Sequence, residues 1–197
     1  MLAAFHRLQD TARGYRFTQL LGRPTIQRYR SLVADHVPQD ARRRVLEIGC
    51  GVGSSRPLFQ GDYTGIDINP DYIRRAQRTL TGTFMVMDAS RMPFAPGSFD
   101  DAVSIATGHH LSDEQLAGMV RQATRAASCL HVIDAILPVS PKDWFKWALF
   151  RADRGRHVRS FEQLHAIVDR NARIEFHEIR EGPLHDVGYI RATRRED

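Results

Sequence analysis

The chain has little cysteine and almost no lysine. Cys50 and Cys129 are its two cysteines in 197 residues, too few for a disulfide framework or a zinc cluster, so both are expected to be reduced and no metal site is expected. Of 28 basic residues only Lys142 and Lys146 are lysine, and the arginines come in short scattered groups such as Arg42 to Arg44 and Arg74-Arg75. A net charge of +5 with a pI near 9.7 therefore reads as a solvated surface and argues against a nucleic-acid partner. No apolar run approaches the roughly 20 residues that a membrane-spanning helix needs. Met1 to Arg16 carries His6, Arg7, Asp10 and Arg13 among its apolar residues and lacks a signal-peptide core, so a cytoplasmic location is the expectation. Repeats and low-complexity segments are absent, and no motif speaks to oligomeric state.

A hydrophobic content of 42% and a charged content of 26% are ordinary globular values, and the length suits one domain with a substantial core. The chain is organised around Val45-Leu46-Glu47-Ile48-Gly49-Cys50-Gly51-Val52-Gly53. Val45, Leu46 and Ile48 have the character of a buried strand at 44–48, and alternating glycines then remove side chains where the backbone bends and a ligand comes close. Glu47 is an acid in an apolar run, costly to bury without a partner, which marks it as a site signal. The spacing Glu-x-Gly-x-Gly-x-Gly differs from the dinucleotide fingerprint Gly-x-Gly-x-x-Gly, which counts against a dinucleotide oxidoreductase.

Strands at 63–68, 83–87, 100–105 and 129–137 follow. They alternate with helical stretches at Ser54 to Phe59, from Asn69-Pro70-Asp71 to Leu80, and at 113–127 after a Ser112 cap. That order argues for a parallel sheet covered on both faces, with Asp100 as a structural acid at the buried entry of the fourth strand. Residues 2–37 read as two helical segments broken near Gly22-Arg23-Pro24. Beyond Pro138 come a helix at 141–150 rich in aromatics (Trp144, Phe145, Trp147, Phe150), a charged link to Arg159, a helix from Ser160 to Val168, and strands at 174–179 and 187–192.

Asp67 ends the second strand sixteen positions after Gly51, close to the roughly 20-residue spacing at which an acid grips a ribose diol in doubly wound folds. Met87-Asp88-Ala89, Met92-Pro93-Phe94, Ser98-Phe99-Asp100 and His109-His110-Leu111 continue the pattern in order. With these motifs the chain resembles the class I S-adenosylmethionine-dependent methyltransferases over about residues 40–137. The resemblance implies a Rossmann-like, doubly wound α/β fold: a mostly parallel seven-stranded sheet with an antiparallel last strand and an N-terminal helical cap. It implies a helical cap at 1–40, a cofactor-binding core at 41–137, and substrate-side helices with a C-terminal hairpin at 138–197.

The resemblance also implies S-adenosyl-L-methionine as cofactor and a set of residues to hold it. Glu47, Gly49, Cys50, Gly51 and Gly53 form the turn, whose amides at the positive end of a following helix suit the methionine carboxylate. Asp67 would accept the ribose hydroxyls and Ile68 would pack on the adenine face, while Asp88 and the amide of Ala89 would meet the adenine edge. Ala106 lies at the tip of the fourth strand, and Tyr15 would reach over the cofactor from the cap or else pack the cap onto the sheet.

For chemistry, His109 and His110 stand where the fourth strand meets the site, with Asp134 at the matching end of the fifth. In some small-molecule O-methyltransferases a histidine acts as base with an Asp supporting it, and a neutral imidazole suits that role. Equally, His-His-Leu is a loop feature that packs or contacts the cofactor whatever the acceptor, and Asp134 could bond loop backbone; adjacency does not say which histidine faces the acceptor. His157 and His185 read as surface or hairpin residues. Ala106-Thr107-Gly108-His109 lacks the paired prolines of amino-methylating DNA enzymes, and Cys129 is misplaced for a cytosine C5 nucleophile.

The aromatics at 144–150 would line a cavity for an apolar small molecule, or else be ordinary core. The expectation is methyl transfer to oxygen of a small apolar or aromatic metabolite. The rivals are an RNA or protein methyltransferase and an inactive cofactor-binding regulator.

Overall fold

Val45, Leu46 and Ile48 are at most 2% exposed because the strand that carries them has parallel neighbours on both sides. This strand, β1 (Arg44–Ile48), pairs with β2 (Asp62–Asp67) on one side and β4 (Phe99–Ile105) on the other. With both faces covered, strands of this kind are apolar throughout rather than alternating. The computed structural model describes residues 12–140, 143, 144, 146, 147 and 157–195, with side chains described from residue 24 onward. Among these residues the sheet has seven strands in the order β3-β2-β1-β4-β5-β7-β6, completed by β3 (Thr83–Val86), β5 (Ala127–Ile136), β6 (Arg173–Arg180) and β7 (Asp186–Thr193). The last strand, β7, lies between β5 and β6 and runs antiparallel to both, while β1 to β5 are parallel. This is the Rossmann-like sheet that the sequence leads one to expect.

The helices start where local chemistry satisfies their first amides. In α2 (Pro70–Thr79) the Asn69 side chain accepts from the amides of Asp71 and Tyr72, with Pro70 in the first helical position. Full capping boxes open α3 (Asp113–Ala126), through Ser112 and Gln115, and α4 (Phe161–Asn171), through Ser160 and Gln163. Alternation along β1 divides the core. Leu46 and Ile48 pack with Leu116 and Met119 of α3 and Ile167 of α4. Val45 packs on the other face with Ile73 of α2 and with Leu32 and Val33 of the N-terminal helix, α1 (Ala12–His36). Among the described residues no helix is long and apolar enough to cross a membrane.

Four local expectations are corrected. First, α1 runs unbroken through Pro24 instead of dividing there. The lost amide bond is offset by anchoring: Arg28 donates to the Pro24 carbonyl at 2.9 Å and to that of Glu181 at 3.2 Å, and Leu32 is fully buried. Second, the stretch after the glycine turn forms only a 3₁₀ turn, Arg56–Leu58, with Phe59 buried against Tyr63. Pro57 and the inward Phe59 favour that tight turn over a helix.

Third, the buried acid at the entry of β4 is Asp101, not Asp100. Arg43 donates to Asp101 at 2.5 and 2.8 Å and His131 Nε2 stands 3.2 Å away, whereas Asp100 pairs with Arg44 at the surface. Desolvation pushes the Asp101 pKa up, but the bonds from His131 and Arg43 outweigh it and hold the carboxyl below its usual range. Fourth, Trp144 and Trp147 are 75% and 39% exposed and so are not the ordinary core that their helical spacing allowed, while Lys146 between them is buried on Asp186 at 2.8 Å. Phe145 and Phe150 lie outside the described residues, as do residues 151–156 of the charged link.

Glu47 shares the Val45 face of β1 and is 2% exposed. Tyr63, on the neighbouring strand β2, donates its hydroxyl to the Glu47 carboxyl, and Ser55 bonds it as well. Burial dominates, and it pushes the carboxyl pKa up to about 7. The folded chain therefore holds a proton that the unfolded chain releases near the ordinary carboxylate value. This contribution to stability is complete below pH 4.5 and is lost as the pH rises through about 7. Urea unfolding of the wild type should show a fall on the order of 2–3 kcal/mol between pH 5 and pH 8 from this group. Glu47→Gln, which keeps an acceptor for Tyr63 without a titrating proton, should flatten that slope; an unchanged slope would assign it elsewhere.

Candidate functional site

The glycine turn is built by backbone torsion. Gly49, Gly51 and Gly53 have φ values of 73°, 56° and 77°, a region other residues enter only at a cost. At Gly49 space is equally decisive, since a Cβ there would stand 2.3 Å from Thr107 Oγ1. The amides of the turn are largely spent within the protein. Those of Gly49 and Cys50 donate to the Ile66 carbonyl at 2.8 and 2.9 Å, that of Gly53 to Cys50 at 2.9 Å, and that of Gly51 to Asp67 Oδ2 at 2.9 Å. With a 3₁₀ turn behind it, the turn also lacks the dipole of an α-helix that the sequence reading placed there.

The tips of β2 and β3 come next to this turn. Asp67 is held by the Gly51 amide on one oxygen and the Asn69 amide on the other, at 2.9 and 2.8 Å. Each carboxylate oxygen keeps a second lone pair for a further donor. Ile68, beside it, is 71% exposed, an unusual setting for a large apolar side chain at a strand tip. The Met87 amide donates to the Asp67 carbonyl at 3.0 Å, which brings Asp88 and Ala89 alongside. Ser90 bonds Asp88 Oδ1 through its amide and hydroxyl, both at 2.8 Å, and these bonds hold the Asp88 carboxyl below its usual range.

Cys50 is 5% exposed and its thiol is pushed up to about 12, chiefly by burial and then by Glu47 and Asp67, so it is a neutral packing residue. Tyr15 lies on α1, but its side chain is outside the described residues.

A second group gathers where β4 ends. Ala106 is in the left-handed region at φ 52° and donates its amide to the Ile133 carbonyl at 2.8 Å. Thr107 then bonds back to the Ile48 carbonyl at 3.2 Å. The following 3₁₀ turn, Gly108–His110, sets His109 against Asp134 of β5. Asp134 is 3% exposed; its Oδ2 accepts the His109 amide at 2.9 Å, and its Oδ1 stands 2.6 Å from His109 Nδ1 and 2.9 Å from the Ala135 amide. Gly108 is required here, since a Cβ would fall 2.6 Å from Asp134 Oδ2.

An ionised carboxylate at that distance keeps the proton on Nδ1 and leaves Nε2 as the acceptor atom of the ring. Of the two adjacent histidines it is His109 that Asp134 engages; the exposed His110 lies with its ring centroid 4.1 Å from that of His109.

Other residues fall outside this grouping or were not singled out in the sequence. His185 meets Thr25 at 3.3 Å, and His157 donates its amide to the His109 carbonyl at 3.0 Å. Asp101, Cys129 and His131 bring ligand-type atoms within 4.8 Å of one another. Arg43 occupies the carboxylate, however, and burial raises the Cys129 thiol to about 11, so the cluster is an ion pair with a protonated thiol. Arg159, buried behind the histidine turn, carries no sequence signal because most of its partners are backbone carbonyls. A groove of about 450 Å³ beside it is lined by Asp113, His157, Glu162, Gln163 and Arg170 among others, and by no residue of the glycine turn.

Comparison with known proteins agrees with this geometry. Residues 45–128 match the family model described as "Methyltransferase domain". The chain is 38% identical over 78 residues to 2-methyl-6-phytyl-1,4-hydroquinone methyltransferase of Synechocystis sp., covering 36% of this chain and 24% of that protein. It is 34% identical over 97 residues to fatty-acid O-methyltransferase of Mycolicibacterium smegmatis, covering 45% of this chain and 35% of that one. The chain thus spans about a quarter to a third of the length of these two relatives. A structure of a SAM-dependent methyltransferase from Methanosarcina mazei superposes with a TM-score of 0.65 at 21% identity, covering 84% of this chain and 98% of that one, a likeness of fold. Sheet order and glycine turn agree with this likeness, and the match places a methyltransferase domain over residues 45–128 of the chain.

Proposed function

We propose that this protein transfers a methyl group from S-adenosyl-L-methionine to an oxygen of a small apolar or aromatic metabolite, with His109 as proton acceptor. The observation that carries the reading is the His109–Asp134 pair, two contacts of 2.6 and 2.9 Å made at the same carboxyl end of the parallel strands as the glycine turn. The two curated relatives described above are named for a hydroquinone and a fatty acid, both largely apolar molecules, and the second is named as an O-methyltransferase.

The cradle fits the cofactor in three respects. Asp67 retains acceptor capacity for a ribose diol, Ile68 offers an exposed apolar surface for an adenine face, and the space over Gly51 is open among the described residues, with no atom beyond its chain neighbours within 4 Å of where a Cβ would stand. S-adenosylmethionine bound there supplies a methyl group on a sulfonium that loses its charge as the methyl leaves. The chain's own part is to align the acceptor and remove its proton. Asp134 holds His109 with Nε2 as acceptor, and its charge stabilises the imidazolium once His109 has taken the hydroxyl proton.

Two measurements test this. Calorimetric titration should show S-adenosylmethionine binding that Asp67→Ala weakens at least 30-fold, since hydrogen bonds to a charged group are worth about 1.5–3 kcal/mol each. Binding of NADH in place of the methyl donor would sink the cofactor assignment, and undiminished binding by Asp67→Ala would take the ribose away from Asp67. In an acceptor screen of phenols, hydroquinones and fatty acids, His109→Gln and Asp134→Asn should lower transfer to the phenolic acceptors, which carry a proton to remove, about 10²–10⁴-fold and leave cofactor binding within a factor of about three. The acid limb of the rate profile should vanish in His109→Gln. Full transfer by His109→Gln would remove the base from the mechanism, and acceptance of RNA or protein alone would favour the macromolecular reading.

A further inference from the structure

Asp134 does not hold the histidine turn alone. Arg159, 7% exposed, enters from the residues before α4 and spreads one guanidinium over it. Its Nη1 donates to the carbonyls of Gly108 and His157, both at 2.9 Å, and its Nη2 to the carbonyl of Leu111 at 2.7 Å. Nε and Nη2 also reach Asp113 Oδ1, at 2.9 and 2.7 Å. Gly108 and Leu111 flank the two histidines, so one side chain grips the turn at both ends. The backbone doubles the grip: the His157 amide donates to the His109 carbonyl at 3.0 Å, and the Leu137 amide, one residue past β5, donates to the Arg159 carbonyl at 2.8 Å. The short segment at 157–159 therefore ties the turn that bears the ring to the strand that bears the acid.

The physical need is specific. A three-residue 3₁₀ turn has poor internal hydrogen bonds and holds its shape weakly by itself. Buried carbonyls require donors. A guanidinium offers five N–H groups in a rigid plane, so it satisfies several carbonyls and fixes their spacing at once, which an ammonium on a flexible stem does not. The ion pair with Asp113 is a minor part of this, because that carboxylate is 78% exposed.

We infer that Arg159 is a positioning residue: by clamping the carbonyls of Gly108 and Leu111 it keeps the His109 amide and Nδ1 on Asp134, and so sets the tautomer and aim of Nε2. The catalytic consequence rests on His109 being the proton acceptor proposed above; the geometric claim does not. Arg159→Met removes every donor and keeps much of the packing stem, while Arg159→Lys returns one cationic donor group without the fork.

The test is a ¹⁵N–¹H correlation of histidine ring nitrogens on the whole chain, with His109 assigned by its loss in His109→Gln. S-adenosylmethionine binding is measured by calorimetry on the same samples. The wild type should show His109 as a single Nδ1–H tautomer. Arg159→Met should lose that pattern for an averaged one, Arg159→Lys should fall between, and methyl-donor binding should persist in both. A wild-type pattern in folded Arg159→Met overturns the inference, and should that variant not fold, a wild-type pattern in Arg159→Lys does so. Failure of the wild type to bind S-adenosylmethionine would strike the proposed function, while the ring-nitrogen pattern would still decide the clamp.

Discussion

The contact between Thr107 and Gly49 is the constraint on which both halves of the site depend. Thr107 Oγ1 lies 3.2 Å from the Ile48 carbonyl and 3.1 Å from that of Ile105, sharing its proton between the ends of β1 and β4, and a side chain at Gly49 would collide with it. To lay Thr107 there, β4 must turn sharply at once, and Ala106 takes up the strain in a left-handed conformation, which costs on the order of 1–3 kcal/mol. The glycine turn and the histidine turn are thereby packed against each other, one at the end of β1 and one at the end of β4. Neither could shift without the other, which is the kind of rigidity that in-line transfer needs.

The buried acids show how one sheet serves two purposes. Asp101 lies where β4 begins, matched by Arg43, with His131 behind it bonded in turn to Tyr189 at 2.9 Å. Burial is the main influence on His131 and keeps it neutral, its pKa held below the usual value. That network is at the opposite end of the strands from the glycine turn, and it acts on stability. At the carboxyl ends of the strands, where doubly wound folds bind ligands, Asp67, Asp88 and Asp134 are held mainly by backbone amides and the Ser90 hydroxyl rather than by arginines. Backbone and hydroxyl partners orient a carboxylate without cancelling its charge. Glu47, between the two ends, is met by a phenol and, through burial, keeps its proton until the pH rises to about 7.

The residues beyond β5 show how later parts of the chain support the site from outside. Asp186, fully buried at the start of β7, accepts from Lys146 at 2.8 Å and from the amides of Val139 and Gly182 at 3.0 Å. These bonds outweigh the desolvation that would raise its pKa and leave it ionised. It fixes the segment that carries the exposed Trp144 and Trp147, while Arg159 fixes the histidine turn. Both anchors join residues that are distant in sequence, by burying a charge together with its partners.

The sequence by itself determined the alternation of strands and helices, the glycine turn, and the placing of Asp67, Asp88 and the histidines at strand tips. All of these follow from short-range rules: apolar runs, caps, and torsions that only glycine enters readily. Where competing local rules were close in energy, tertiary contacts decided. Pro24 is a helix breaker by propensity, yet Arg28 and a buried face carry α1 through it; Ser54 to Phe59 looks helical, yet Phe59 turns inward onto Tyr63. Between neighbours of the same type, Asp100 or Asp101, His109 or His110, the choice lay in which side chain the register of β4 and β5 brought to a partner. Arg159 was illegible for the same reason: the carbonyls it binds are common to every residue, and only the folded chain puts three of them within reach of one guanidinium.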